Sequence, residues 1–295
     1  MTTQYASVFL LAGAALTLCA CGSKAPVLSV GSKNTSEQLI LGEIVAAHLE
    51  KQLPGVRIER KLGLGATTAV QGAIQSGDID LYVEDLGTML GTVLKEDVPP
   101  DESVGLERAR AQYQLLYQLT VLKPLGFHHQ FVVVSKASGA SGIKSDNLTA
   151  VGDSHTAFKL GVAYDLYDRK DAFTALTTKY RISMRELPLR MEPAVMYQAL
   201  LNDSIDLAAR YSTDSWTDQP GFKLLKDDRD LFPKQPACVV IRNQTLGSTT
   251  GLDRALEALS GIIKDNVIRK LNQEVDLKHR KPAELAKEFL ASVGL

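Results

Sequence analysis

Cysteine is scarce in this sequence: there are three in 295 residues, and no C-x-x-C spacing occurs. Metal centres and redox sites built from paired cysteines are therefore not indicated. Cys19 and Cys21 end an apolar N-terminal segment, whereas Cys238 lies alone in the apolar run ACVVI. This position predicts that Cys238 is a buried structural residue without a disulfide partner.

An excess of charge of either sign is also missing. The chain has 33 Lys and Arg against 34 Asp and Glu, and neither half carries a basic run. Nucleic acid is therefore not expected as a partner. With 45% apolar and 23% charged residues the composition is that of a globular protein, and the length favours two domains.

Catalytic motifs are lacking as well. The sequence has no G-x-S-x-G elbow, no H-x-x-x-H pair and no P-loop. His128 and His129 are adjacent, and neighbouring residues of a strand point to opposite faces, so the pair is not expected to bind one metal ion. The sequence therefore predicts a protein that is not an enzyme and that uses no metal or cofactor.

The only long apolar run is ASVFLLAGAALTLCA, residues 6–20. It is short for a bilayer core of about 30 Å, which takes roughly 20 apolar residues, and is typical of a cleaved export signal. Leu18 to Cys21 resembles a bacterial lipobox, which predicts a lipoprotein signal over residues 1–21 and lipidation of Cys21. An ordinary secretory signal is the alternative, because MTTQY lacks Lys and Arg. Either way, we expect export to a periplasm or to the outer face of the cytoplasmic membrane.

Strand and helix patterns alternate after the signal. Asn34 is a predicted helix N-cap, and Glu37 completes the spacing of a capping box. The predicted elements are strands 27–30, 56–61 and 79–83, with a helix from Asn34 and another over residues 67–76. This alternation is typical of an α/β domain with a mostly parallel sheet. Ligands of such sheets bind beyond the carboxyl ends of the strands, where Asp85 and Thr88 follow the third strand.

Two segments of the chain are similar to each other. AVQGAIQSGDIDL aligns without a gap with VMYQALLNDSIDL, 126 residues further on. The same offset places Arg210, Tyr211 and Asp214 at the positions equivalent to Glu84, Asp85 and Thr88. A chance match between two βα units is the alternative. Two domains that present equivalent loops to one cleft explain the similarity, and such clefts are frequent ligand sites.

Two predicted strands, residues 127–136 and 234–243, are placed to connect the domains. We expect domain I to comprise residues 27–128 and 235–295, and domain II residues 129–234. The helical tail, whose last helix opens at Pro282, would pack back on domain I.

Each predicted domain offers one cation near a strand end, Lys33 in the first and Arg169 in the second. Together they suit an anionic group of a ligand. Aromatic residues fall in the same regions: Phe131, Tyr164 and Tyr211. The alternative is that Phe131 and Tyr211 belong to the core and that the two cations are solvated.

Several motifs, in order, resemble the substrate-binding proteins of osmoprotectant (glycine betaine, choline, carnitine) ABC importers. The motifs are GSKNTSEQLILGEI, GATTAVQGAIQSGDIDLYVEDLGT, KPLGFHHQFVVV, IDLAARYSTD, DDRDLFP and PAELAKEFL, and the resemblance runs over residues 27–295. The resemblance implies a type II periplasmic-binding fold, in which two α/β domains joined by a two-strand hinge close around the solute. It also implies a cage of four tyrosines around a trimethylammonium group and a Lys, Thr and Arg set for a carboxylate.

Carried over by this resemblance, Lys33, Thr88 and Arg169 form the carboxylate set. The cage is changed. Asp85 replaces one tyrosine and Phe131 another, Tyr211 is retained, and Gln235 and Pro236 stand where the last is expected. Because each cation–π contact contributes roughly 0.5–2 kcal/mol, two aromatic residues hold a methylammonium group less strongly than four. Asp85 instead favours a cation that donates hydrogen bonds, or a ligand hydroxyl.

The sequence thus predicts a monomeric solute-binding component of an ABC importer that works with a permease and an ATPase. Its solute is expected to be a small zwitterion or quaternary-ammonium compound. The predicted ligand-binding residues are Lys33, Asp85, Thr88, Phe131, Arg169 and Tyr211, with Asn34, Tyr164 and Asp214 as further candidates. Two alternatives remain: a ligand-sensing receptor that is not coupled to transport, and a binding protein for an amino-acid-like zwitterion other than a betaine.

Overall fold

The computed structural model describes residues 25–138, 143, 146–167 and 175–295. The predicted export signal, with Cys21, and the predicted site residue Arg169 lie outside these residues. Within the described part of the chain, no helix is long and apolar enough to cross a membrane.

The secondary structure alternates between strands and helices. The described strands are β1 (Val27–Gly31), β2 (Arg57–Lys61), β3 (Leu81–Asp85), β4 (Leu119–His128), β5 (Phe131–Lys136), β6 (Ala157–Phe158), β7 (Leu160–Val162), β8 (Ser183–Met184), β9 (Leu189–Arg190), β10 (Leu207–Tyr211), β11 (Phe222–Leu225) and β12 (Pro236–Arg242). The described helices are Ser36–Gln52, Thr67–Ser76, Leu86–Thr88, Glu102–Tyr117, Leu148–Asp153, Tyr164–Tyr167, Pro193–Leu201, Asn243–Ser248, Leu252–Glu257, Asp265–Asp276 and Pro282–Ser292, with π-helical turns at Met89–Leu94 and Ala175–Lys179.

The first sheet has five strands in the order β2-β1-β3-β12-β4. β1 is parallel to β2 and β3, and β12 is antiparallel to β3 and β4. One face packs against the helix Ser36–Gln52 and the C-terminal helices, so the helical tail lies against the first sheet. The other face packs against Thr67–Ser76 and Glu102–Tyr117. Cys238 is fully buried in β12, as predicted, and burial raises the pKa of its thiol to about 12.

The second sheet also has five strands, in the order β11-β5-β10-β7-β9. β5 pairs antiparallel with β10 and β11, whereas β7 is parallel to β10 and β9. Its core contains the fully buried Phe158, Tyr180 and Tyr197. β3 and β10 occupy equivalent places in the two sheets, and their bounds differ by the offset of 126 residues seen in the sequence.

The chain passes between the sheets twice. It leaves β4 at His128 and enters β5 at Phe131, and it returns from β11 to β12 between Leu225 and Pro236. The sequence predicts one strand over residues 127–136, and this is wrong: the strand ends at His128, and Ser212 takes part in hydrogen bonds with both His128 and Gln130 at the break. As a result His129 lies outside any strand.

The N-cap of the first helix lies one residue later than predicted. Thr35, not Asn34, is the N-cap: its backbone is extended, and its hydroxyl accepts a hydrogen bond from the amide of Gln38. Asn34 stays in the preceding loop because its amide donates to the carbonyl of Gly65 at 3.2 Å. Glu37 therefore takes no part in a capping box, and its side chain faces the site described below.

Candidate ligand site between the two sheets

Three charged side chains meet at the carboxyl ends of β1 and β3: Glu84 and Asp85 are the last two residues of β3, and Lys33 follows β1. These strands are parallel neighbours, so the residues that follow them emerge at the same edge of the sheet. The ammonium group of Lys33 lies 2.5 Å from Glu84 Oε1 and 3.7 Å from Asp85 Oδ2. Glu84 is completely buried and Asp85 nearly so, whereas the Lys33 side chain is 12% exposed. The sequence-predicted residues Lys33 and Asp85 are thus in contact.

Burial and the neighbouring charges set the protonation of this cluster. Burial acts to lower the pKa of Lys33, but the negative charges of Glu84 and Asp85 outweigh it, and the pKa is raised. Lys33 therefore carries its charge throughout the physiological range. Burial raises the pKa of Glu84 above its ordinary value, although the ammonium group of Lys33 opposes the rise.

His129 is a site residue that the sequence alone did not identify. Its Nδ1 lies 3.2 Å from Asp85 Oδ2, and its Nε2 lies 3.9 Å from Glu37 Oε1. Its ring stacks on Tyr211, at the end of β10 in the second sheet, with the ring centroids 3.6 Å apart and the planes inclined by 25°. His129 therefore connects the acidic edge of the first sheet with the aromatic end of the second.

Glu37, Asp85 and His129 offer atoms that all lie within 4.8 Å of one another, close enough to share a cation. A metal ion, however, takes both carboxylates and a single ring nitrogen at about 2.0–2.2 Å. Here the carboxylates face different nitrogens of the ring. The arrangement fits an imidazole ring held between two carboxylates rather than a metal site.

The second sheet contributes the loop that follows β10. Asp214 in this loop forms a buried ion pair with Arg210 of β10, with Arg210 Nε 2.5 Å from Asp214 Oδ2. The other carboxylate oxygen of Asp214 accepts a hydrogen bond from the amide of Trp216 at 3.0 Å. The candidate Asp214 thus shapes this loop through Arg210.

The helix Asp265–Asp276 holds this loop against the first sheet. Asn272 Nδ2 donates to Glu37 at 2.9 Å and to the carbonyl of Thr213 at 2.8 Å. Arg269 donates to the carbonyl of Ser212 at 2.9 Å. Asn272 and Arg269 were not found from the sequence, where they read as ordinary polar positions of an amphipathic helix. These contacts connect the residues that follow Tyr211 with Glu37.

Phe131 has a different environment from the one predicted for a ligand residue. It pairs in register with Tyr211 across β5 and β10, but it is 4% exposed and its ring packs on Phe232, with centroids 4.5 Å apart. With Val162, Tyr167 and Ala209 it lines an apolar cavity of about 120 Å³ in the second-sheet core. Phe131 thus supports the Tyr211 end of the site from the core side.

Three other predicted residues, Thr88, Asn34 and Tyr164, have known places in the fold. Thr88 is half-buried and ends the short helix that follows Asp85. Asn34 is exposed in the first loop, and Tyr164 begins the helix Tyr164–Tyr167. A Cβ atom on Gly87 would lie 1.9 Å from Oε1 of the buried Gln235, so a larger residue at this position would require the Gln235 side chain to move.

The chain is similar in sequence to binding proteins of known transport systems. Among curated proteins, the chain is 30% identical over 269 residues to the ergothioneine transport permease/ergothioneine binding protein EgtU of Helicobacter pylori (strain G27), covering 91% of this chain. It spans only 48% of that relative's length. It is also 28% identical over 274 residues to the carnitine transport binding protein OpuCC of Listeria monocytogenes, covering 91% of this chain and 87% of that one.

Solved structures show the same fold. A glycine betaine/carnitine/choline ABC transporter structure superposes with a TM-score of 0.77 at 24% identity, covering 90% of this chain and 98% of that one. Lactococcal OpuAC in its closed-liganded conformation with glycine betaine gives a TM-score of 0.61 at 10% identity, covering 91% and 96%. The predicted type II periplasmic-binding fold is confirmed by these similarities.

The family model for the substrate-binding domain of ABC-type glycine betaine transport systems matches residues 26–292, nearly all of the described chain. This match confirms the resemblance that the motifs indicate, and the family that it identifies is one of transport substrate-binding domains rather than of enzymes. The protein is therefore a member of the family of substrate-binding domains of ABC-type glycine betaine transport systems.

Proposed function

We propose that this protein captures a small solute outside the cytoplasm and delivers it to an ABC permease. The solute carries a cationic group, of the quaternary-ammonium or amino-acid type, and a carboxylate. The observation that carries this proposal is the combination of the buried Asp85 carboxylate with the aromatic face of Tyr211, one from each sheet, on either side of His129. A carboxylate and an aromatic face are the two groups that bind organic cations in proteins.

The two ends of the solute have separate partners in this proposal. Its cationic end lies near Asp85 and Tyr211, with Phe131 behind them, and its carboxylate is bound by Lys33, Thr88 and Arg169. The positive charge of Lys33 is held close to this place by Glu84. Because Asp85 is an anion, an ammonium group that donates hydrogen bonds is favoured over one enclosed only by methyl groups, which supports amino-acid-like zwitterions as a second class of solute.

The chain organisation also enters the proposal. Residues 27–128 and 235–295 form one domain and residues 129–234 the other, in support of which each of the two five-stranded sheets draws its strands from one of these sets. The protein acts as a monomer with permease and ATPase subunits. The relative from Helicobacter pylori, named as both permease and binding protein, supports such a partnership.

Asp85→Asn tests the proposed cation partner. Loss of a charged partner costs about 1.5–3 kcal/mol, so we expect the affinity for the best-binding solute to fall roughly 10- to 150-fold. Isothermal titration calorimetry would screen glycine betaine, carnitine, choline, ergothioneine and amino-acid zwitterions against both proteins. Asp203→Asn, at an exposed aspartate that pairs with Lys136, is the control and should bind as the native protein does. Tight glycine betaine binding that survives Asp85→Asn would contradict the assignment.

We further propose that Cys21 carries the lipid that anchors the protein to the outer face of the membrane. Cys21→Ser is expected to abolish incorporation of labelled fatty acid and to move the protein from the membrane fraction to the soluble fraction. Cys19→Ser is the matched control, since it removes a cysteine two residues away and should leave labelling intact. Equal labelling of the two variants would refute lipidation at Cys21.

A further inference from the structure

The ring of His129 occupies the place where a cation is held best in this site. Its two nitrogens face Asp85 at 3.2 Å and Glu37 at 3.9 Å, and one face of the ring covers Tyr211. Both carboxylates are largely buried, and the His129 side chain is 16% exposed. The surroundings of His129 are thus two anions and an aromatic face, which suit an imidazolium ion.

The geometry also distinguishes the charged ring from the neutral one. A neutral imidazole has one N–H donor and one acceptor nitrogen, and the acceptor would then face a carboxylate with which it cannot form a hydrogen bond. An imidazolium places an N–H towards each carboxylate: Nδ1–H donates to Asp85 at 3.2 Å, and Nε2–H is attracted to the charge of Glu37 at 3.9 Å, beyond hydrogen-bond distance. Burial acts to lower the pKa of His129, but the charges of Asp85 and Glu37 outweigh it and raise the pKa above its ordinary value.

The charged groups around the ring come from several elements. Asp85 ends β3, Glu37 lies in the first turn of Ser36–Gln52, and Lys33, in the loop before that helix, opposes the charge of His129. Tyr211 from β10 stacks on the ring, and Asn272 binds the second oxygen of Glu37; neither side chain adds a charge. The carboxylates therefore outnumber the cation that opposes them.

We propose that the imidazolium of His129 and the cationic group of the solute compete for one subsite between Asp85 and Tyr211. When the solute takes this subsite, the ring leaves the carboxylates and releases its proton to the solvent. His129 thereby becomes a specificity-determining residue, because only a solute whose cation interacts with Asp85 and Tyr211 more favourably than the imidazolium does can enter. This inference rests on the proposed function and adds a dependence of binding on pH.

The sign of that dependence follows from linkage. His129 has the higher pKa while its ring lies between the carboxylates, and a pKa near the ordinary value once it is displaced. Protons therefore favour the unliganded protein, and affinity falls as the pH decreases through the raised pKa. The fall is roughly tenfold for each pH unit that separates the two pKa values, and it levels off below the lower one.

The experiment combines two measurements on the full chain. Nuclear magnetic resonance of histidine-labelled protein without solute gives the titration of His129, which we expect to have its midpoint above that of a free histidine. Calorimetry then measures choline and glycine betaine binding between about pH 5.5 and pH 8.5, in buffers of different ionisation enthalpy, so that proton release is counted. Choline is informative because it has no carboxylate and does not itself titrate in this range.

His129→Gln removes the competing charge and keeps a polar side chain. We expect it to bind choline and glycine betaine several-fold more tightly than the native protein near pH 6, without proton release and with a flat pH profile. His128→Gln is the matched control, because His128 faces Glu102 and Asp265 instead and its loss should leave the native pH profile unchanged. Thermal melts check that both variants are folded.

Other results would overturn the inference. A pKa of His129 at or below the ordinary histidine value, measured in the solute-free protein, would overturn it. A pH dependence that persists in His129→Gln would assign it to another group, such as Glu84. Failure of the proposed function has a different signature: no quaternary-ammonium or amino-acid solute binds the native protein or His129→Gln at any pH, whatever the charge on the ring, and the competition is then refuted as well.

Discussion

Replacing Lys33 with methionine is expected to lower the free energy of unfolding by about 3–5 kcal/mol, the usual cost of breaking a buried ion pair from one side. Methionine keeps an unbranched apolar side chain, so the loss reflects the missing charge rather than a cavity. Glu84 has no exposed surface, and its Oε1 lies 2.5 Å from the ammonium group. Once Lys33 is gone, Glu84 is either a buried anion next to Asp85 or must take up a proton.

The loss should depend on pH in a defined direction. Burial already raises the pKa of Glu84 against the opposing effect of Lys33, so removal of Lys33 raises it further. A carboxyl group whose pKa is higher in the folded than in the unfolded state contributes stability at low pH that is lost as the pH rises through the folded-state value. Urea unfolding near pH 5 and pH 8 should therefore show the larger deficit of Lys33→Met at the higher pH.

Two further variants complete this test. Lys123→Met removes the charge of an exposed lysine that pairs with Glu257, and it should cost less than about 1 kcal/mol. The double variant Lys33→Met/Glu84→Gln removes both charges together, and it should recover much of the stability lost in the single variant. If Lys33→Met loses no more stability than Lys123→Met, the charge of Lys33 does not stabilise the buried Glu84 carboxylate.

The parts of the site that were predictable from the sequence are those set by local pattern. Strand ends can be read from apolar runs followed by polar residues, and this placed Lys33 and Asp85 at one edge of the first sheet. The internal offset placed Tyr211 at the equivalent position of the second sheet, and β3 and β10 obey that offset. Lys33, Asp85 and Tyr211 indeed lie around one centre in the structure.

The parts that were missed depend on tertiary contacts. The sequence pattern predicts His129 to be the second of two neighbouring strand residues, whereas the strand ends at His128 and His129 lies in the turn that follows. Glu37 was assigned to a helix cap, but Thr35 caps the helix and Glu37 faces the site. Asn272 lies 235 residues from its partner Glu37, a separation at which no local pattern indicates a contact.

Phe131 illustrates an alternative that sequence alone left open. The resemblance to the family favours a ligand residue, whereas its apolar side chain equally fits a core position. In the structure its ring packs on Phe232 and lines the apolar cavity of the second sheet. Its contribution to ligand binding is a proposal, and the pairing of Phe131 with Tyr211 in the strand register supports it.

The backbone of β4 lies very close to the segment that precedes the helix Asp265–Asp276, which contacts the site. Gly126 lies in β4 with φ +117°, and a Cβ atom there would be 2.7 Å from the carbonyl carbon of Gly261 and 2.8 Å from its Cα and oxygen. The amide of Gly261 donates to the carbonyl of Pro124, and that of Ile263 to the carbonyl of Leu125, both at 3.0 Å. This segment covers the outer edge of β4 and leads into the helix Asp265–Asp276.

Gly126→Ala is therefore expected to lower the free energy of unfolding by about 3–5 kcal/mol, because a side chain meets both a strained φ and a fixed backbone. Gly261→Ala is the matched control. Its φ is +72°, but a Cβ atom there meets no atom within 4 Å, so only the conformational cost of about 1–2 kcal/mol should remain. Urea unfolding of the two variants separates the steric from the conformational contribution, and equal losses would rule out the steric one.

The displaced segment leads into the helix that carries Arg269 and Asn272. We therefore expect faster amide hydrogen exchange in that helix for Gly126→Ala but not for Gly261→Ala. The contact between the loop after β10 and Glu37, which Asn272 maintains, should loosen with it.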